Sequence, residues 1–329
     1  MNRFHRFSGM ICILLSMGVS LQTFGQTKPP QTPAGQKQVV KLNPVKPDSL
    51  DPKQKALRNY SNAQLSKKPA PEKKITDPNE LRALELFKAG GEKCKAGDYE
   101  GGITEYTKSL GIFKNGNTYI RRGFAYLMLG NYQSALRDAT DGLALLPNYP
   151  DGNFVRGIAR YEMGDIQGAE DDLKVCIMRD RSNPLARNYM AAIKFKKLDY
   201  KGAVDQYTAV INLDPKYPEA YSNRGMMRHY LRDFKGAIQD YDEAIKQNPE
   251  SPSAYNNRGA AKLILKQLQP ALEDFNKAVS LDPRYANAFD NRARVKHEMG
   301  DQAGACSDWQ SAYTLGLTAA KDLIIKYCK

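Results

Sequence analysis

Arginine recurs along this chain at a fixed pitch, and aspartate recurs with it. Arg122, Arg156, Arg224, Arg258 and Arg292 are followed, each sixteen residues later, by Asp138, Asp172, Asp240, Asp274 and Asp308. Where the register carries Ala89 or Met190 instead of arginine, the partner position holds Glu105 or Gln206. A row of arginines could bind an anionic ligand, but such a row would not require a matching carboxylate at each step. The co-occurrence predicts bidentate ion pairs, in which a planar guanidinium fork meets both oxygens of a carboxylate. These ten residues are therefore expected to be internal braces rather than ligand contacts.

Little else in the chain has the spacing of a reactive site. His229 and His297 stand two repeat lengths apart, and a metal would need further ligands converging on one point. No H-E-x-x-H, G-x-S-x-G or P-loop occurs, so no catalytic residue, metal or cofactor is predicted. Beyond Cys12, which lies in the N-terminal apolar run, the cysteines are Cys94, Cys176, Cys306 and Cys328. Four thiols allow three complete pairings, and the sequence alone leaves them open. A disulfide between Cys306 and Cys328 would staple the end of the chain if the last segment folds back on the one before it.

The elements that position these residues follow from a repeat. A short turn followed by a small residue returns at Gly97, Gly130, Gly164, Leu198, Arg232, Lys266 and Gly300, first after 33 residues and then five times after 34. Units counted from Ala83, Gly116, Pro150, Pro184, Pro218, Pro252 and Ala286 place a small residue at position 8 (Gly90, Gly123, Gly157, Ala191, Gly225, Gly259, Ala293). Position 20 is equally small, from Gly102 and Ala135 to Ala305. This pattern resembles the tetratricopeptide repeat, a 34-residue helix–turn–helix whose two helices approach closely at those sites. The resemblance covers about residues 83–317 and implies an all-α, right-handed superhelical solenoid of antiparallel helix pairs. Residues 317–329 are expected to form a capping helix over the last apolar face.

The resemblance also implies a concave groove lined by the first helix of each unit. In units 2 to 4 the groove positions are apolar, with Phe124, Phe154, Tyr161 and Tyr189 as candidate contacts. In units 5 to 7, Asn223, Asn257 and Asn291 recur at position 6 with Asn256 beside them. An amide offers both a donor and an acceptor to a peptide backbone, which suits a ladder that grips an extended segment. The paired lysines of a carboxylate clamp are missing: Ser222 and Asn256 stand at those positions.

Charge and the N-terminus set the context. The net charge is +13, but residues 1–77 carry 13 Lys/Arg against 4 Asp/Glu, leaving the repeats nearly neutral. Nucleic acid as a partner is therefore not expected. Arg3 and Arg6 precede an apolar run from Gly9 to Leu21, too short at about 20 Å to span a bilayer of ~30 Å. Residues 1–25 are thus expected to be a signal peptide cleaved near Gln26, giving an exported chain with no transmembrane span. Residues 26–77, rich in Pro and Lys, are expected to be a disordered linker able to touch an anionic envelope surface, and residues 78–329 the repeat domain. The expected function is a non-enzymatic scaffold that holds a protein or peptide partner in its groove at the cell envelope. A structural subunit of an envelope or secretion assembly is the alternative, and an enzyme with an unrecognised site a third.

Overall fold

The computed structural model describes residues 52–66, 76–147, 149–217 and 219–328. The expected signal peptide, and the linker apart from residues 52–66, 76 and 77, lie outside them. Among the described residues there are sixteen helices and no strand. A first helix, α1 (Pro52–Ser66), precedes seven helix pairs. The pairs are α2 (Pro78–Ala96) with α3 (Tyr99–Ile112), α4 (Gly116–Met128) with α5 (Tyr132–Leu145), and α6 (Pro150–Glu162) with α7 (Ile166–Arg179). Next come α8 (Pro184–Lys196) with α9 (Tyr200–Leu213) and α10 (Ala220–Tyr230) with α11 (Phe234–Gln247). The last are α12 (Pro252–Ile264) with α13 (Leu268–Leu281) and α14 (Ala286–Glu298) with α15 (Gln302–Thr314), followed by α16 (Ala320–Tyr327).

The turns inside the pairs explain the repeating sequence signal. Asp98, Asn131, Asp165, Asp199, Asp233 and Asp301 each cap the second helix by accepting the N–H three residues on. Gln267, in the same place in unit 6, makes no such bond. Just before each cap the chain turns through the left-handed region. Gly97, Gly130, Gly164 and Gly300 do so freely, whereas Leu198, Arg232 and Lys266 do so at φ near 60° despite their side chains.

Close packing at positions 8 and 20 fixes the angle within a pair. A Cβ on Gly90 would stand 2.8 Å from the Tyr106 ring, and one on Gly259 the same distance from Phe275. Tyr106, Tyr207, Tyr241, Phe275 and Trp309, each four residues after the small position 20, are almost wholly buried. The first helices of neighbouring units also touch each other directly, as α4 with α6, α6 with α8 and α12 with α14. That closer approach puts the first helices on the inner face of the curve.

Two expectations need correction. Residues 52–66 fall within the stretch expected to be disordered, yet they form α1, which packs against α4 and α8. The repeats supply the other wall: among the described side chains of α1, Ala56, Leu57 and Tyr60 join the core of the first units. The terminal cap is also shorter than residues 317–329. Leu317 to Ala319 form a turn, and the helix proper begins at Ala320.

Candidate functional site

The recurring arginines sit between helices, not in a ligand row. Arg122 Nε and Nη2 donate to the two oxygens of Asp138 at 2.7 and 2.8 Å. Nitrogens of Arg156, Arg224, Arg258 and Arg292 approach Asp172, Asp240, Asp274 and Asp308 to 2.7, 2.7, 2.6 and 2.7 Å. All five carboxylates are buried. The remaining guanidinium nitrogen reaches back to the preceding unit: Arg122 to Thr107, Arg224 to Thr208, Arg258 to Asp242 and Arg292 to Asn276. The same four guanidinium groups lie over the rings of Tyr119, Tyr221, Tyr255 and Phe289. One arginine therefore ties both helices of its own unit to the unit before.

A second row of cations, one turn along the first helix, completes the brace. Arg160, Arg228, Lys262 and Lys296 bond the aspartates of their units at 2.7, 3.0, 2.8 and 2.9 Å. In unit 1, which lacks the arginine, Lys93 pairs with Glu105 at 2.9 Å. Position 11 is basic in every unit except the second, where it is Tyr126, so this signal stood in the sequence and went unused.

Unit 4 is built differently. Met190 and Gln206 replace the pair, and the Gln206 side-chain oxygen is buried with no partner among the described residues. Its basic residue, Lys194, turns instead to Glu170 of unit 3, joined there by Lys174 and Lys197. The bond from Lys197, with those from Lys174 and Lys194, outweighs burial and holds the Glu170 carboxyl down to about 2.

On the inner face of units 6 and 7 three amides form a chain. Asn291 donates to Asn256 at 2.9 Å, and Asn256 donates to Asn257 at 3.3 Å. The amino group of Asn257 and the carbonyl of Asn291 end this chain; Asn256 and Asn257 are buried, and Asn291 is half-buried. Asn223 lies one unit earlier, 6% exposed. Nearby, Asp290 is held by Arg294 at 3.0 Å and accepts from the Trp309 indole at 3.1 Å.

The apolar half differs from the expected open groove. Phe124, Phe154 and Tyr189 are buried, the last two at 0% and 4% exposure. Tyr189 packs edge-on against Tyr161, and its hydroxyl finds no partner among the described residues. Tyr161 is half-buried with the Lys196 ammonium 4.6 Å above its ring. As free ligand contacts, Phe124 and Phe154 are unavailable because α1 covers them. The Tyr60 ring lies tilted against Phe154 at 4.3 Å and stacks on Phe124 at 6.1 Å, and its hydroxyl donates to Asp151 at 2.9 Å. Burial and then the Asp151 charge push the Tyr60 phenol well above its ordinary value, so it remains a donor.

At the other end, Cys306 and Cys328 are disulfide-bonded, with Cα atoms 5.6 Å apart. Tyr327 of α16 stacks on Trp309 and lies tilted against His297, and His297 bonds Gln302 at 2.7 Å. His229 lies against Phe234, and burial lowers its basicity. Among the described residues no three metal-ligating side chains converge. Cys94 and Cys176 are free and buried; burial pushes the Cys94 thiol up to about 12. No helix among the described residues is long and apolar enough to cross a membrane.

Stacked helix pairs with small-residue contacts, turned about a common inner face, define an α-solenoid. Residues 191–229 and 227–265 match the model described as TPR repeat, and residues 252–285 the model described as Tetratricopeptide repeat. The chain belongs to the tetratricopeptide-repeat proteins. Among curated proteins it is 29% identical over 109 residues to heat shock protein STI1 of Saccharomyces cerevisiae, covering 32% of this chain and 18% of that one. It is 32% identical over 120 residues to RNA polymerase II-associated protein 3 of Xenopus tropicalis, covering 36% and 18%. The chain thus spans less than a fifth of the length of these relatives.

Among solved structures, the C-terminal part of a TPR repeat-containing protein from Cytophaga hutchinsonii superposes with a TM-score of 0.57 at 16% identity, covering 74% of this chain and 98% of that one. A Pseudomonas aeruginosa pilF structure gives 0.55 at 16% identity, covering 68% and 99%. A tetratricopeptide repeat protein from Parabacteroides merdae gives 0.51 at 15%, covering 76% and 100%. At these identities the likeness is one of fold.

Proposed function

We propose that this chain is a non-enzymatic interaction scaffold, exported to the cell envelope, that holds an extended segment of a partner protein against the amides of units 5 to 7. The observation that carries this reading is the amide chain through Asn291, Asn256 and Asn257, whose two ends offer a carbonyl and an amino group. A peptide backbone presents the complementary donor and acceptor at each residue. The braces consume the arginines, so the inner face keeps amides rather than fixed charge for recognition. Export is supported by the basic and apolar N-terminal run and by the Cys306–Cys328 disulfide, a bond that persists in oxidising compartments. The basic stretch before the repeats provides an electrostatic contact with anionic envelope surfaces.

The test compares crosslinked complexes recovered from envelope extracts with wild type and with Asn223→Ala/Asn257→Ala. The variant is expected to keep its helicity and melting temperature and to lose the partner. Undiminished capture by a folded variant would remove the groove from the proposal and favour the structural-subunit alternative.

A further inference from the structure

The half of the concave face that was expected to be open is filled by the chain itself, and the way it is filled describes a ligand. α1 lies outside the repeat and contributes no brace. It enters the inner face through Leu57, 3% exposed, and Tyr60, three positions on and so on the same side of the helix. Tyr60 meets an aromatic wall made by Phe124 of α4 and Phe154 of α6. Its hydroxyl donates to Asp151, a buried carboxylate in the first turn of α6, whose cation, Arg121, stands 3.7 Å away. Arg58 donates to the Lys95 carbonyl at the end of α2, where helix carbonyls are unsatisfied. An aromatic slot with an acceptor at its floor is a receptor for a tyrosine, and the adjoining apolar surface takes the leucine one turn before it.

Among the described side chains of α1, Ala56, Leu57 and Tyr60 make the apolar contacts and Arg58 a hydrogen bond, while Lys55 and Asn59 face solvent. Its first turn carries no acidic residue and its last turn no basic one. A helix of this length is marginal alone, and every residue ordered on docking opposes the gain from Leu57 and Tyr60. The repeats, in contrast, carry their own braces.

We propose that the apolar half of the concave face is a binding site for an amphipathic helix bearing leucine and tyrosine three positions apart, and that α1 fills it in cis, so that a partner helix enters by displacing α1. This deepens the scaffold reading: the amide half holds an extended segment, and the apolar half recognises a helix under the control of α1.

A fluorescein-labelled peptide of residues 52–66 tests it without needing any partner, so it can fail independently of the asparagine experiment. The probe is titrated against the full chain as wild type and as Leu57→Ala/Tyr60→Ala, which vacates the site. Apparent affinity falls with the fraction of open sites, so the vacated chain should bind at least tenfold more tightly. Adding Asp151→Asn, or replacing the peptide tyrosine by phenylalanine, should weaken that binding severalfold. Equal binding to both chains overturns the proposal. Hydrogen exchange on the unmutated chain covers the case of a variant that fails to fold. Residues 52–66 should exchange through an opening that leaves residues 78–328 protected, and excess peptide should speed that exchange. Exchange of α1 only with the whole repeat array would make it a fixed part of the fold and overturn the proposal. A concentration-dependent dimer held by swapped α1 helices would overturn the assignment in cis.

Discussion

A buried carboxylate facing two cations costs more to remove than any single surface charge. Asp240 receives Arg224 and Arg228, at 2.7 and 3.0 Å, and is buried. Asp240→Ala would leave both cations without their counter-charge. The guanidinium groups retain some water, which places the loss toward the lower end of the usual range, about 3 kcal/mol. Asp138 faces Arg122 alone, so Asp138→Ala should cost less. Urea unfolding of the two variants checks the order, and equal losses would mean that the second cation contributes nothing. The brace itself was legible because a 34-residue period lets one chain show the pair five times and its joint absence twice. The second cation was missed although its position repeats just as regularly. Tyr60 and Asp151 were illegible for a different reason: 91 residues separate them, neither recurs, and only the curvature of the solenoid brings them together.

At the level of elements, the C-terminal helix is the clearest case of a segment held by a few contacts. α16 has eight residues, one fully buried, and it depends on Tyr327 stacking on Trp309 and on the bond between Cys306 and Cys328. A disulfide closing a loop of this length contributes about 3 kcal/mol by chain entropy. Cys328→Ser, or mild reduction, should therefore release α16 before the repeats unfold. Trp309 is the only tryptophan and is 1% exposed, so its emission should shift to the red while helicity stays nearly constant. An unshifted spectrum after reduction would show that the stacking alone retains the helix. The repeat helices were readable from turn residues and small positions, since each unit restates the same local rule. α1 was not, because its few apolar residues carry too little periodicity to stand out in a polar stretch.

For the whole molecule, a solenoid's stability is close to a sum of units and the interfaces between them, so its weakest joint sets how it opens. Units 3 and 4 are joined by Lys194 and Lys197 of unit 4 around Glu170 of unit 3, which Lys174 of its own helix also meets. The Glu170 carboxyl titrates near 2 when folded, below its ordinary value of about 4.3, so its contribution is present above that value. It is lost as pH falls from about 4.5 towards 2. Glu170→Gln should flatten the acid slope of the melting temperature in that window, and an unchanged slope would move the joint elsewhere. The missing arginine of unit 4 has its own cause. In units 2, 5, 6 and 7 the arginine reaches back to Thr107, Thr208, Asp242 or Asn276, all neutral or acidic. The equivalent residue facing unit 4 is Lys174, which lines a cavity of about 260 Å³ with Met190, Lys194 and Gln206. An arginine at position 190 would meet a like charge there. Met190→Arg/Gln206→Asp should therefore gain little, whereas the same pair with Lys174→Thr should gain about 1–2 kcal/mol from a charge-assisted bond in space already present. Urea midpoints of the double and triple variants decide it: if the double variant is as stable as the triple, repulsion from Lys174 is not what excludes the brace.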